Sequence, residues 1–208
     1  MDHLALFLTF VASAALLTIT PGLDTVLVLR TAGLEGRRAA AMAASGIGLG
    51  CLIWGAAVSL GLGALLQASH MAYAAVKLAG AAYLLWLGIQ LLIHPREALD
   101  MSGDFTPPRG QDSFRRGFLT NLLNPKMGVF YITFLPQFVP TGVSVAAYTF
   151  FLAAVHVVLA FVWFAMLIAA TAPLSGLLRR PGAVPLLDRI TGGLFLAFGL
   201  RLAFSSTR

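Results

Sequence analysis

Residues 4–29 read LALFLTFVASAALLTITPGLDTVLVL, a run in which Asp24 is the sole ionisable side chain. A helix needs about 20 apolar residues to cross a hydrocarbon core of about 30 Å, so this stretch is long enough to span a bilayer. Comparable runs follow at about 39–66, 71–93, 114–138, 145–171 and 186–204. None alternates apolar and polar residues with the period of a transmembrane barrel, so all are predicted to be helices. The whole chain agrees: of its 208 residues, 59% are hydrophobic and 11% charged, and mean hydropathy is +0.87. A soluble domain carries about 25% charged residues, and disorder needs low hydrophobicity. The sequence predicts an all-α integral membrane protein with the lipid bilayer as its surroundings.

The formal net charge of +6 belongs to the connections between runs, not to a stripe that would bind nucleic acid. Arg30, Arg37 and Arg38 join the first run to the second. Arg96, Arg109, Arg115 and Arg116 lie between the third and fourth, and Arg179, Arg180 and Arg189 between the fifth and sixth. The other two connections carry none. Positive-inside sorting therefore predicts three cytoplasmic connections and both termini outside. The first run lacks a basic leader and reads as a retained span, not a signal peptide. Cys51 is the single cysteine, which excludes an internal disulfide or dithiol pair. His3, His70, His94 and His156 have no metal-ligand spacing, and no GxSxG, HExxH or P-loop pattern points to an enzyme. No cofactor and no metal is expected.

Residues 95–113 contain Pro95, Gly103, Pro107, Pro108 and Gly110 and read as a cytoplasmic linker between two halves, 1–94 and 114–208. The halves resemble each other. Lys77, Gly80, Tyr83 and Gly88 of the third run parallel Arg189, Gly192, Phe195 and Gly199 of the sixth. Thr20-Pro21-Gly22 in the first run parallels Asn124-Pro125-Lys126 in the fourth. Three spans per half would invert the second half in the membrane. The expectation is six transmembrane helices in two inverted three-helix repeats with helices 1 and 4 broken, an arrangement that marks transporters.

Thr20 and Asn124 are of N-capping type, and Pro21 and Pro125 suit the first helical position. Each motif therefore predicts a helix restart, with N–H groups that lack an intrahelical acceptor and a partial positive charge. Irregular backbone at that depth must be buried in protein or line a cavity. Asp24 suits the dipole of its restart. Lys126 opposes the dipole of its own and calls for a nearby anion, either Asp24 in an ion pair or a substrate carboxylate. Lys77 lies close enough to a membrane face to snorkel. His156 reads as a satisfied interhelical donor or as a proton relay. Gly46, Gly50, Gly55, Ser59 and Gly63 form a small-residue packing stripe.

Three motifs carry a resemblance: Thr20-Pro21-Gly22-Leu23-Asp24, the run from Gly80 through Tyr83 and Trp86 to Gly88, and the run from Gly117 through Asn121, Asn124, Pro125 and Lys126 to Gln137 and Phe138. In this order and over nearly the whole chain they resemble the LysE/RhtB amino-acid exporters. Leu23 departs from the family pattern, which has a second Pro there. The resemblance implies a bacterial inner-membrane secondary transporter that exports amino acids against a proton gradient. The Thr-Pro-Gly plus Asp form is similar to the homoserine/threonine branch, so neutral amino acids are the expected substrates. The implied substrate site is Thr20, Pro21, Gly22, Asp24, Asn121, Asn124, Pro125 and Lys126, with Lys77, Tyr83, Gln137 and His156 in support. A non-transporting assembly factor or a membrane enzyme is the alternative, and a homo-oligomer is open.

Overall fold

The structure is a computed structural model that describes residues 3–68, 70–96, 111–171 and 182–204. Its elements are α1 (His3–Ile19), α2 (Leu23–Leu34), α3 (Arg37–Ala68), α4 (His70–Ile93), α5 (Gln111–Leu122), α6 (Pro125–Thr133), a 3-10 turn (Leu135–Phe138), α7 (Val145–Ala169) and α8 (Ala183–Phe204). Leucine, phenylalanine and valine cover much of the outer face, as at Leu8, Leu60, Val158, Phe161 and Leu200. Such a surface is stable only against lipid.

Among the described residues, Arg37–Gly61, Val145–Ala169 and Ala183–Phe204 are long and apolar enough to cross a membrane singly. The pair α1 and α2, bent by 53°, makes a fourth. Six spans were expected, and the other two stretches, Lys77–Ile93 and Met127–Phe138, are apolar but shorter. The fourth run is short because α5 opens on the polar sequence Gln111-Asp112-Ser113 and only α6 is apolar. Most of the expected linker, residues 97–110, lies outside the described residues.

The two breaks differ. At the first, Thr20 still donates its N–H to Leu16, and the next backbone bond runs from Val26 N to the Gly22 carbonyl. Gly22 occupies the N-cap with extended backbone (φ −137°, ψ −168°). Two expectations need correction here: Thr20 is not the cap of α2, and Pro21 is not its first residue. The Thr20 hydroxyl is used elsewhere, accepted by the Leu16 carbonyl and sharing a 2.6 Å hydrogen bond with Thr191. The second break is tight. Pro125 does open α6, and Met127 and Gly128 donate at once to the Asn124 carbonyl. The Trp54 indole N–H reaches the Leu122 carbonyl at 3.2 Å, meeting one of the carbonyls that the end of α5 leaves over.

Aromatic rings fill the centre. Phe134 lies 4.7 Å from Phe130, 4.8 Å from Phe138 and 4.6 Å from Phe198, and Phe10 lies 5.4 Å from Phe138. This cluster seats α6 and the 3-10 turn between α1 and α8. The small-residue stripe brings backbones together, as its spacing predicts. Gly46 lies directly against the Phe114 carbonyl of α5, and Gly55 against Ala153 of α7. These contacts hold α5 and α7 on α3, and thereby aim the second break at the first.

Candidate functional site

A partly open cavity with about 540 Å³ of empty space, mouth included, lies where α1 gives way to α2. Its polar wall comes from both breaks: Thr18, Thr20, Gly22, Asp24 and Thr25 from the first, Asn124 from the second, with Cys51 and His156 between them. The remainder is apolar, chiefly Leu17, Ile47, Met127, Phe130, Ala160 and Phe164.

Asp24 is the second residue of α2, in the first turn, where the helix dipole favours a carboxylate. The amides of Leu23, Asp24 and Thr25 precede the first intrahelical donor, Val26, whose N–H reaches back to the Gly22 carbonyl. Asn121, fully buried in the last turn of α5, donates Nδ2 to Asp24 Oδ2 at 2.8 Å and to Cys51 Sγ at 3.4 Å. The buried Tyr131 hydroxyl and His156 Nδ1 are 2.9 Å apart. Asp24, Cys51, Asn124 and His156 thus line the cavity, with Asn121 and Tyr131 bonded behind them, in surroundings where each polar group interacts more strongly than in water.

The candidate residues divide accordingly. Thr20, Gly22, Asp24, Asn124 and His156 face the cavity, and Asn121 stands behind Asp24. Pro21 is buried beside it, its carbonyl accepting a 2.7 Å bond from Arg96. Pro125 and Lys126 begin α6, but their side chains lie outside the described part, so the expected Asp24–Lys126 pairing does too. Three supporting candidates are not in the cavity wall. Lys77 is half-buried on α4, Tyr83 packs on Trp86 at 5.5 Å, and Gln137 donates to the Thr133 carbonyl at 2.9 Å.

Sequence reasoning missed four participants. Cys51 reads only as a lone cysteine, and Tyr131 is not singled out. Asp188 and Thr191 lie on α8, and both are fully buried. Asp188 could have been flagged as an acid inside an apolar run, where a charge needs a partner. Arg96 supplies that partner with a 2.5 Å ion pair.

Residues 15–206 match the family model described as LysE type translocator. The chain is 30% identical to a threonine efflux protein of Escherichia coli, covering 97% of this chain and 99% of that one. It is 30% identical to a homoserine/homoserine lactone efflux protein of Salmonella typhi, covering 93% and 94%. A leucine efflux protein of Klebsiella pneumoniae is 27% identical, covering 95% and 94%. No solved structure matches.

Proposed function

The chain belongs to the LysE type translocator family, and from that premise we propose that it exports neutral amino acids of the threonine, homoserine or leucine kind by alternating access around the cavity at the helix breaks. Members of this family are amino-acid efflux proteins of the bacterial membrane and not enzymes. The observation that carries the finer reading is that both breaks contribute to one cavity wall, Asp24 from the first and Asn124 from the second.

The chemistry of a zwitterion fits this wall. The substrate ammonium would meet Asp24, and its carboxylate would meet the first-turn amides of α2 with Lys126. A neutral side chain would rest on Ile47, Met127, Phe130 and Phe164. Thr20, Pro21, Gly22, Asn121 and Pro125 would hold the two breaks in place around it. Asp24 would also exchange the coupled proton.

Six spans in two inverted repeats accompany this reading. Their support is reciprocal glycine packing between α4 and α8. A Cβ on Gly88 would stand 2.8 Å from the Gly192 carbonyl oxygen, and one on Gly199 would stand 3.2 Å from that of Ala81. Exchanging the third run for the sixth in the sequence alignment carries one contact approximately onto the other. The basic connections would face the cytoplasm.

The test is uptake of a labelled amino-acid panel into inside-out vesicles, with and without a pH gradient. Threonine, homoserine or leucine should accumulate only with the gradient, and lysine should not. Accumulation of none of them, or accumulation indifferent to the gradient, would refute the substrate or the coupling respectively.

A further inference from the structure

Arg96 follows the end of α4 and turns back into the bundle. Its main-chain N–H and its Nε each donate to Asp188 Oδ2 at 2.9 Å. One guanidinium nitrogen donates both to Asp188 Oδ1 at 2.5 Å and to the Pro21 carbonyl at 2.7 Å. One turn further along α8, Thr191 shares its 2.6 Å bond with Thr20. The two residues that open the first break are therefore both tied to one face of α8, Thr20 directly and Pro21 through Arg96.

Neutralising a buried Asp188 would require only the contacts to its carboxylate. The bond to Pro21 is additional, and it falls on the peptide joining Pro21 to Gly22. Gly22 is the N-cap of α2 and part of the cavity wall. The plane of that peptide sets the direction in which the first turn of α2, with Asp24 and Thr25, meets the chamber. A planar guanidinium can serve a carboxylate and a carbonyl together, whereas an ammonium is a point charge on a flexible stem.

We propose that Arg96 is a positioning residue for transport: it locks the Pro21–Gly22 peptide onto Asp188 of α8 and so fixes the cavity face of α2. The proposal rests on the reading that this cavity takes the amino acid.

The test uses the full chain in liposomes with labelled L-threonine, L-homoserine and L-leucine. A second readout is the rate at which a methanethiosulfonate reagent modifies a cysteine introduced by Leu23→Cys, at an exposed position in the cavity wall, in parent and variants alike. Arg96→Lys should keep a thermal midpoint within about 3 °C of the parent's. It should raise KM about tenfold, change kcat less than about threefold, and alter the Leu23→Cys modification rate about tenfold. Parental KM and a parental modification rate in this variant would overturn the proposal. Asp188→Asn, which leaves Arg96 able to reach Pro21, serves if Arg96→Lys fails to fold. It should stay closer to the parent than Arg96→Gln in both readouts, and the reverse order would reduce Arg96 to a counter-ion. If the parent transports none of the three amino acids, the reading of the cavity fails, while the Leu23→Cys modification rates still decide the role of Arg96.

Discussion

Asn121 donates its amide to the Asp24 carboxylate at 2.8 Å, joining the last turn before the second helix break to the first turn after the first. This one bond sets the spacing of two motifs that lie about a hundred residues apart in sequence. A hydrogen bond to a charged group contributes about 1.5–3 kcal/mol. Asn121→Ala should therefore lower the thermal midpoint and cut export at least about tenfold. Asn121→Asp should be worse, because two carboxylates would face each other across the same distance. Vesicle transport beside thermal unfolding in detergent checks both. Parental export by Asn121→Ala would show that the breaks find their spacing without this bond.

Glycine contacts make a second, sharper comparison. A Cβ on Gly50 would stand 2.6 Å from Asn121 Oδ1, so Gly50→Ala should displace that amide and reproduce the Asn121→Ala loss of export. Gly193 on α8 has nothing within 4 Å of where its Cβ would be. Gly193→Ala should leave export unchanged and stabilise by about 0.5–1 kcal/mol, through helix propensity. Thermal midpoints of the two variants should move in opposite directions.

The breaks themselves were legible because proline removes an N–H wherever it stands. Pro21 and Pro125 therefore announce interruptions from sequence alone. Where each helix resumes was less legible. Thr20 has the chemistry of a cap, but a partner on α8 takes its hydroxyl and moves the restart to Leu23. Arg96 and Asp188 were harder still. Arg96 counted as one of several loop charges, and Asp188 drew no notice beside Arg189. Their bonding, across 92 residues, leaves no trace in local periodicity. Cys51 sits within a small-residue stripe, which masked its place in the cavity wall.

Membrane sidedness can be read with two exposed positions. Arg38 lies at the start of α3 in a basic connection, and Thr141 lies between the 3-10 turn and α7, where no arginine stands. Positive-inside sorting predicts that a membrane-impermeant thiol reagent added outside modifies Thr141→Cys and spares Arg38→Cys. Lysis of the cells should make the second position reactive. Labelling of Arg38→Cys in intact cells would invert the topology and the direction assigned to transport.

His156 Nδ1 has a structural partner in the Tyr131 hydroxyl, 2.9 Å away, although the imidazole also lines the cavity. Tyr131→Phe removes that partner and should cost about 1–3 kcal/mol of stability, the penalty for a buried polar group left unmatched. Export should slow with no change in its dependence on pH. A pH profile displaced in Tyr131→Phe, and again in His156→Gln, would assign the imidazole to proton transfer instead.

Asp24 and Lys126 stand near the starts of α2 and α6, one sign agreeing with its helix dipole and the other opposing it. If the two charges serve only each other, removing either strands its partner in the membrane at a cost of about 3–5 kcal/mol. Asp24→Asn and Lys126→Met would then each destabilise, and the double variant would regain stability and export together. If they serve substrate and proton, the outcomes separate. Lys126→Met should raise KM by weakening the grip on the carboxylate. Asp24→Asn should chiefly abolish the effect of the pH gradient, because an amide has no proton to exchange in that range. The double variant should fold yet fail to export. This second pattern is the expected one, since Asp24 already has Asn121 to stabilise its carboxylate and does not depend on Lys126 alone. Export at the parental rate by the double variant would reduce both residues to scaffolding.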